Sequence, residues 1–393
     1  MHSIRKSCQV ALKSQREVCV FANGSRRAFS GSSARLRGAL PVFLPPSKPE
    51  LESLLSTFNR KILLPYHLTK EQQDLVYRKD NKAKLEAEPV EITLGDVTLS
   101  LEHIDRNHLP NRFATFKQIV KESETREDWE NVVRTLEGFQ NAGIHLKTDV
   151  QEMVVRHLNL NGMQHLVLKA LQRPKASGLS MREWRVLVQV LRGIHDKATL
   201  SDWDKDETSK ALRWAKQVAE LLEDEEHHVQ QNRGEAVAQK DLRGRPAVVA
   251  VPTEMAAVLA DRYGGNVEEA QVLAGRLVAA LKQYDYTSTL DTITTLSSKS
   301  PTDFPNFAGQ LQHITALARD LLEPLFVCHA LKTARKVLGD AMPMKDEAAQ
   351  WQERTEKLLK EAIESADRLR TREGREASNG FVGYLRDAVG RCT

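Results

Sequence analysis

The sequence predicts a mainly α protein: a scaffold of short, solenoid-like α-helical hairpins with one small β-hairpin near the N-terminus. Three observations carry that expectation. From Trp129 to His195, apolar residues recur at helical spacing in a series of short segments. Ala142-Gly143-Ile144 and Ser177-Gly178-Leu179 close two of these segments 35 residues apart, and Asn161-Gly162 breaks the interval, which amounts to one helix pair per repeat. A single stretch, Val90 to Leu101, alternates apolar and polar residues with period two.

The first 40 residues carry Arg5, Lys6, Lys13, Arg16, Arg26, Arg27, Arg35 and Arg37 against one acid, Glu17, amid abundant Ser. Basic, Ser-rich and acid-poor is the composition of a mitochondrial transit peptide, so the expected location is the mitochondrial matrix. In Arg27-Ala28-Phe29-Ser30 an Arg stands two residues before an aromatic, so residues 1–29 are expected to be removed after Phe29. This changes the meaning of the net charge of +4, which comes from 57 basic and 53 acidic residues. Without the six basic residues and one acid of the presequence, 51 basic and 52 acidic residues remain, a formal charge of −1. A chain that wraps RNA with its whole surface keeps a basic excess. Any RNA contact is therefore expected to be local.

Composition excludes other classes. Apolar residues make up 41% and charged residues 28% of the chain, and the mean hydropathy is −0.45. No apolar run approaches the length of a membrane span. Past the presequence only Cys328 and Cys392 remain, too few for a zinc site or a disulfide framework. Cys328, between Val327 and His329, reads as a small buried thiol.

Along the chain, residues 30–48 form a Pro-rich extended arm (Pro41, Pro45, Pro46), with Ser47 placed to cap a helix that starts near Pro49. Residues 49–110 form a small α/β-hairpin region. Thr69 and Gln72 make a capping box, and Gly95-Asp96 is the two-residue turn of the hairpin. Residues 111–223 form the repeat-like helical domain. Its helices are expected at 112–122, 127–141, 149–160, 163–172, 181–191 and 206–223, with Ser180 as a cap and Gly193 as a stop. Each is short and one-sided, so stacking must bury the apolar stripes. Residues 224–252 are expected to be a linker, with His227-His228 in a solvated polar stretch and Ala247–Val251 extended. Residues 253–393 form a second helical domain. Thr253 caps its first helix, the β-branched Thr residues at 287–296 weaken helix there, a break falls near Pro324, and a long charged helix spans 345–370.

The segment from Lys61 to the hairpin (KILLPYHLTKEQQDLVYRKD, then EPVEITLGD) resembles the N-terminal part of fungal mitochondrial large-subunit ribosomal proteins. The hairpins in the middle resemble a degenerate pentatricopeptide array, whose members read RNA one base per repeat. Only one or two repeat-like units are visible, too few for a long reading groove.

Catalytic chemistry finds no support. There is no phosphate loop, no Gly-x-Ser-x-Gly elbow and no His-Glu-x-x-His. The carboxylate pairs Glu127-Asp128 and Glu268-Glu269 sit in first helical turns, where the macrodipole favours acids. Neither a catalytic residue, a metal site, a cofactor nor a small-molecule substrate is expected. The candidate RNA contacts are Lys240, Arg243 and Arg245 in the linker, and Arg173, Lys175, Arg182 and Arg185 at one end of a helix pair. The leading expectation is a non-catalytic structural component of the mitochondrial large ribosomal subunit, held by ribosomal proteins and local ribosomal RNA contacts. The alternatives are a pentatricopeptide-like factor for an organellar transcript and an assembly factor of a respiratory complex.

Overall fold

A computed structural model describes residues 39–228, 241–372, 375–376 and 380–392. The presequence, its cleavage site, the start of the arm and Lys240 lie outside the described residues. The architecture is mainly α with a small antiparallel hairpin, as expected.

The N-terminal region holds α1 (Pro49–Thr57), a π-helical turn (Phe58–Leu63), α2 (Leu64–His67), α3 (Lys70–Tyr77) and α4 (Lys82–Ala87). Thr69 and Gln72 form their capping box at the start of α3. Strands β1 (Glu91–Leu94) and β2 (Val97–Ser100) pair with Leu94 opposite Val97, so Gly95-Asp96 is the turn. Gly95 has φ +66°, and a Cβ added there would stand 2.3 Å from the Ala39 Cβ, so the turn also needs Gly for space. A lone hairpin is marginal in water. Here Ile92, Leu94, Val97 and Leu99 pack on the helical core.

The helical series follows with α5 (Arg112–Glu122), α6 (Arg126–Asn141), α7 (Thr148–Leu160), α8 (Gln164–Leu171), α9 (Pro174–Ser177), α10 (Trp184–Thr199) and α11 (Lys205–Leu221). Gly143, Gly162 and Gly178 all have positive φ and end helices where the repeat spacing placed them. Helix α7 packs on α8 and α10, and α10 on α11, as neighbours in a stack do.

Helix α10 corrects one expectation. It begins at Trp184 after Glu183, not at a Ser180 cap, and runs through Gly193 to Thr199. Gly193 is no stop. An added Cβ there would meet the Asn159 amide at 2.2–2.3 Å, and that amide donates from Nδ2 to the Gln189 carbonyl at 2.7 Å. The glycine lets α7 reach into the backbone of α10.

The second half holds α12 (Pro246–Tyr263), α13 (Val267–Gln283), α14 (Tyr286–Ser297), α15 (Phe307–Asp320), α16 (Leu322–Leu338), α17 (Lys345–Leu369) and α18 (Gly380–Cys392), with two short strands, β3 (Thr371–Arg372) and β4 (Arg375–Glu376), between the last two. Ala247–Val251 is not extended: it is the first part of α12. Thr253 is not a cap but lies inside that helix, its hydroxyl donating to the Val249 carbonyl at 2.7 Å. Apolar side chains on nearly every face enclose α12 among α10, α11, α13 and α16. The Thr-rich stretch is the helix α14, in which Thr292, Thr294 and Thr295 hydroxyls bond carbonyls four residues back. Pro324 lies in the first turn of α16, where its missing N–H costs nothing. One buried apolar cluster extends from Leu40 to Ala388 and includes Cys328.

Candidate nucleic-acid interface

The arm is the first feature that side chains build. Residues 39–48 lie along α6 in extended form. The Asn131 amide accepts from the Leu44 N–H at 2.8 Å and donates to the Leu44 carbonyl at 2.9 Å, as a neighbouring strand would. Arg134 donates to the Val42 carbonyl, Asn141 to that of Ala39 at 3.0 Å and Asn59 to that of Pro41 at 3.0 Å. Ser47 caps nothing. Its N–H and hydroxyl both donate to Asp128, at 3.0 and 2.6 Å. Asp128 also closes a capping box with Thr125. Burial alone would raise its pKa, but these donors hold the carboxyl at about 2.

The six described candidate RNA residues are already engaged. Arg243, in the short turn Leu242–Gly244, is paired with Asp241 and with Glu223 at 3.0 Å. Arg245 stacks over Trp184 at 3.7 Å, donates to the Tyr284 hydroxyl at 2.8 Å and faces the buried Glu323. Arg173 pairs with Glu137 at 2.9 Å and Lys175 with Glu226 at 2.6 Å. Arg182 donates to the Glu226 carbonyl at 2.9 Å, and Arg185 pairs with Asp149 and with Glu152. An RNA phosphate reaching these side chains must compete with partners already in place.

His227 corrects the reading of a solvated linker. It is 2% exposed. The Met181 N–H donates to its Nδ1 at 3.1 Å, so its Nε2 carries the proton donated to the Leu171 carbonyl at 2.9 Å. Burial lowers its pKa, which keeps Nδ1 free to accept. The imidazole ties the short turn Glu225–His227 onto the helical stack.

Sequence reasoning missed a buried charge cluster. His195 of α10, Glu254 of α12 and His329 of α16 meet with their ligand atoms within 4.8 Å of one another. His195 Nε2 lies 3.0 Å from Glu254 Oε2, and His329 Nδ1 lies 3.3 Å from Oε1. Burial opposes charge at both His195 and Glu254. Glu254, with Asp196 beside the other ring nitrogen, overrides it and raises the His195 pKa, while His195 and His329 together lower that of Glu254. His329 Nε2 has no hydrogen-bond partner, and His195 Nδ1 has only the Asp196 carboxylate, at 4.0 Å and beyond hydrogen-bond reach. Zinc-bound histidines donate their second nitrogen to an outer partner. The arrangement therefore fits a hydrogen-bonded ion cluster better than a metal centre. No signal in the sequence joins three residues 59 and 75 positions apart.

Among the described residues no helix is long and apolar enough to cross a membrane. A family model described as mitochondrial ribosomal protein mS27 matches residues 27–384. A small ribosomal subunit protein mS27 from Neurospora crassa is 24% identical over 295 residues, covering 72% of each chain. The likeness thus spans most of the chain, not only its N-terminal part, and the relative's name carries the small subunit, which overturns the large-subunit expectation. With its helical scaffold and a match of this extent, the chain belongs to the mitochondrial ribosomal protein mS27 family and is a structural, non-enzymatic ribosomal protein of the mitochondrion.

Proposed function

We propose that the chain is a structural component of the small subunit of the mitochondrial ribosome, working in the matrix and contributing to translation there. The family match over residues 27–384, with a small-subunit relative covering 72% of the chain, carries the reading. The physical form agrees with it. A stack of one-sided helices presents long outer faces, and residues 39–48 are clamped along α6. The net charge of the chain past residue 29 is near zero, and the described candidate RNA cations are matched by acids or carbonyls of the chain itself. Protein neighbours therefore supply most of the hold, with ribosomal RNA touched locally.

Sedimentation of a tagged copy from mitochondria tests this. At magnesium levels that separate the subunits, the protein is expected to move with the small subunit. Movement with the large subunit, or retention in light fractions, overturns the proposal.

A further inference from the structure

Among the described residues one cavity is lined by basic side chains and by no acid. It has a volume of about 340 Å³ and lies between the π-helical turn, α3 and the start of α5. Ile62 and Pro65 form a buried floor, while Tyr66, Tyr77, Leu109 and Pro110 form the walls. Lys61 and Arg112 stand exposed at its rim, and no acidic residue lines it. Arg112 donates to the Tyr66 hydroxyl at 3.0 Å, and Arg106 lies over the Tyr77 ring at 4.3 Å. Among the described residues Lys61, Arg106 and Arg112 have no carboxylate partner. The nearby acids are committed elsewhere: Glu102 to Arg60, Asp105 to His108 and Asp74 to Arg78. The contrast with Arg173, Lys175, Arg185 and Arg243, each paired with an acid, is one of available charge.

We propose that this cavity takes an unstacked nucleotide of single-stranded RNA. Exposed aromatic rings accept a base on their face whatever its identity, and unpaired cations beside them hold the flanking phosphates. Tyr66, 37% exposed, is the stacking surface, and Leu109 and Pro110 line the same cavity. Lys61 and Arg112 are the phosphate contacts. A duplex keeps its bases stacked and cannot fill the pocket. The larger groove between α11, α12 and α13 lacks this character, because Glu220, Glu223, Glu268 and Glu269 line it beside Lys216, Arg243 and Arg276, and Lys216 and Arg243 are already paired with Glu269 and Glu223. The inference extends the ribosomal reading by giving the RNA contact a place, yet its test uses purified protein and stands apart from sedimentation.

Binding of a fluorescein-labelled 12-nucleotide single-stranded RNA of mixed sequence to the purified full chain tests it, with the same strand in a duplex for comparison. The wild type should prefer the single strand. Tyr66→Ala should weaken that binding roughly tenfold while Tyr66→Phe stays near wild type, since a ring suffices for stacking. Lys61→Gln and Arg112→Gln should each lower the slope of log affinity against log salt by about one, whereas Arg173→Gln should leave it unchanged. Circular dichroism melting checks that each variant folds. Binding by Tyr66→Ala equal to wild type, equal affinity for duplex, or an absence of RNA binding with the folded wild type would overturn the proposal. Sedimentation outside the small subunit, with the pocket's RNA binding intact, would instead refute the functional reading alone.

Discussion

The arm on α6 and the junction of α10, α12 and α16 bury polar groups in opposite ways. The arm is a stretch of backbone whose donors and acceptors are met one by one, mostly by neutral amides of Asn131, Asn141 and Asn59. The junction buries whole charges, Glu254 between His195 and His329, with Phe326 and Trp203 beside the His195 ring. Neutral pairing is cheap to lose one bond at a time. A buried charge stripped of its partner bears the full cost of desolvation. The two regions should therefore respond to mutation with different sizes and different dependence on pH.

The largest effect is expected at the junction. Glu254→Gln removes the buried carboxylate that the His195 and His329 rings both face and should destabilise the fold by about 3–5 kcal/mol in urea denaturation. The pH dependence follows from the shifts. The raised His195 contributes stability that is present below its unfolded value, near 6.5, and is lost as pH rises through its higher folded value. The lowered Glu254 contributes stability that is present above about 4.3 and is lost on acidification. The deficit of the variant should be widest between roughly pH 4.5 and 6.5. A deficit that does not vary with pH would show that the cluster holds by shape rather than by charge.

At the arm the effect should be smaller and acid-specific. Asp128→Ala removes the acceptor for Ser47 and the capping box with Thr125, and should cost about 2–3 kcal/mol. Because the Asp128 carboxyl is held at about 2, its contribution is present above the unfolded value of about 3.9 and fades as pH falls toward about 2. Wild type and variant should converge in that window. Asn131→Ala should release Leu44 and cost about 1–2 kcal/mol, with faster proteolysis within residues 39–48 as its sign. If the arm stays protected in that variant, the Asn131 pairing is not what holds it.

The smallest expected effect has an informative sign. In a helix interior Ala is better than Gly by about 1 kcal/mol. Gly193→Ala should nonetheless destabilise by about 1 kcal/mol, because the new methyl overlaps the Asn159 amide. Gly193→Ala combined with Asn159→Ala should recover that loss. A stabilising Gly193→Ala would show that α7 and α10 are less closely packed than described.

Much of the fold was legible because its signals are local. The capping box at Thr69 and Gln72, the hairpin turn at Gly95-Asp96 and the helix ends at Gly143 and Gly178 each need only neighbours a few residues away. Helix α5 spans Arg112–Glu122, the range its apolar spacing predicts. What failed was set by distant partners. Ala247–Val251 is rich in Val and bounded by Pro246 and Pro252, a local composition that favours extension, yet four surrounding helices bury it as α12. Asp128 was readable as a first-turn acid, but its second role depends on Ser47, 81 residues earlier. His227 looked solvated beside Glu225 and Glu226 until the stack placed Leu171 and Met181 against it. For the candidate RNA residues the sequence displays the cations but not the acids that meet them, such as Glu137 opposite Arg173 and Glu226 opposite Lys175.

The central claim is membership of the small ribosomal subunit. It is tested most directly by quantitative mass spectrometry of particles captured through a tagged copy after the subunits have been separated. The account predicts small-subunit proteins at near-equal stoichiometry with the bait and large-subunit proteins depleted. Capture of large-subunit proteins in that proportion, or of respiratory-complex subunits without ribosomal proteins, would contradict it.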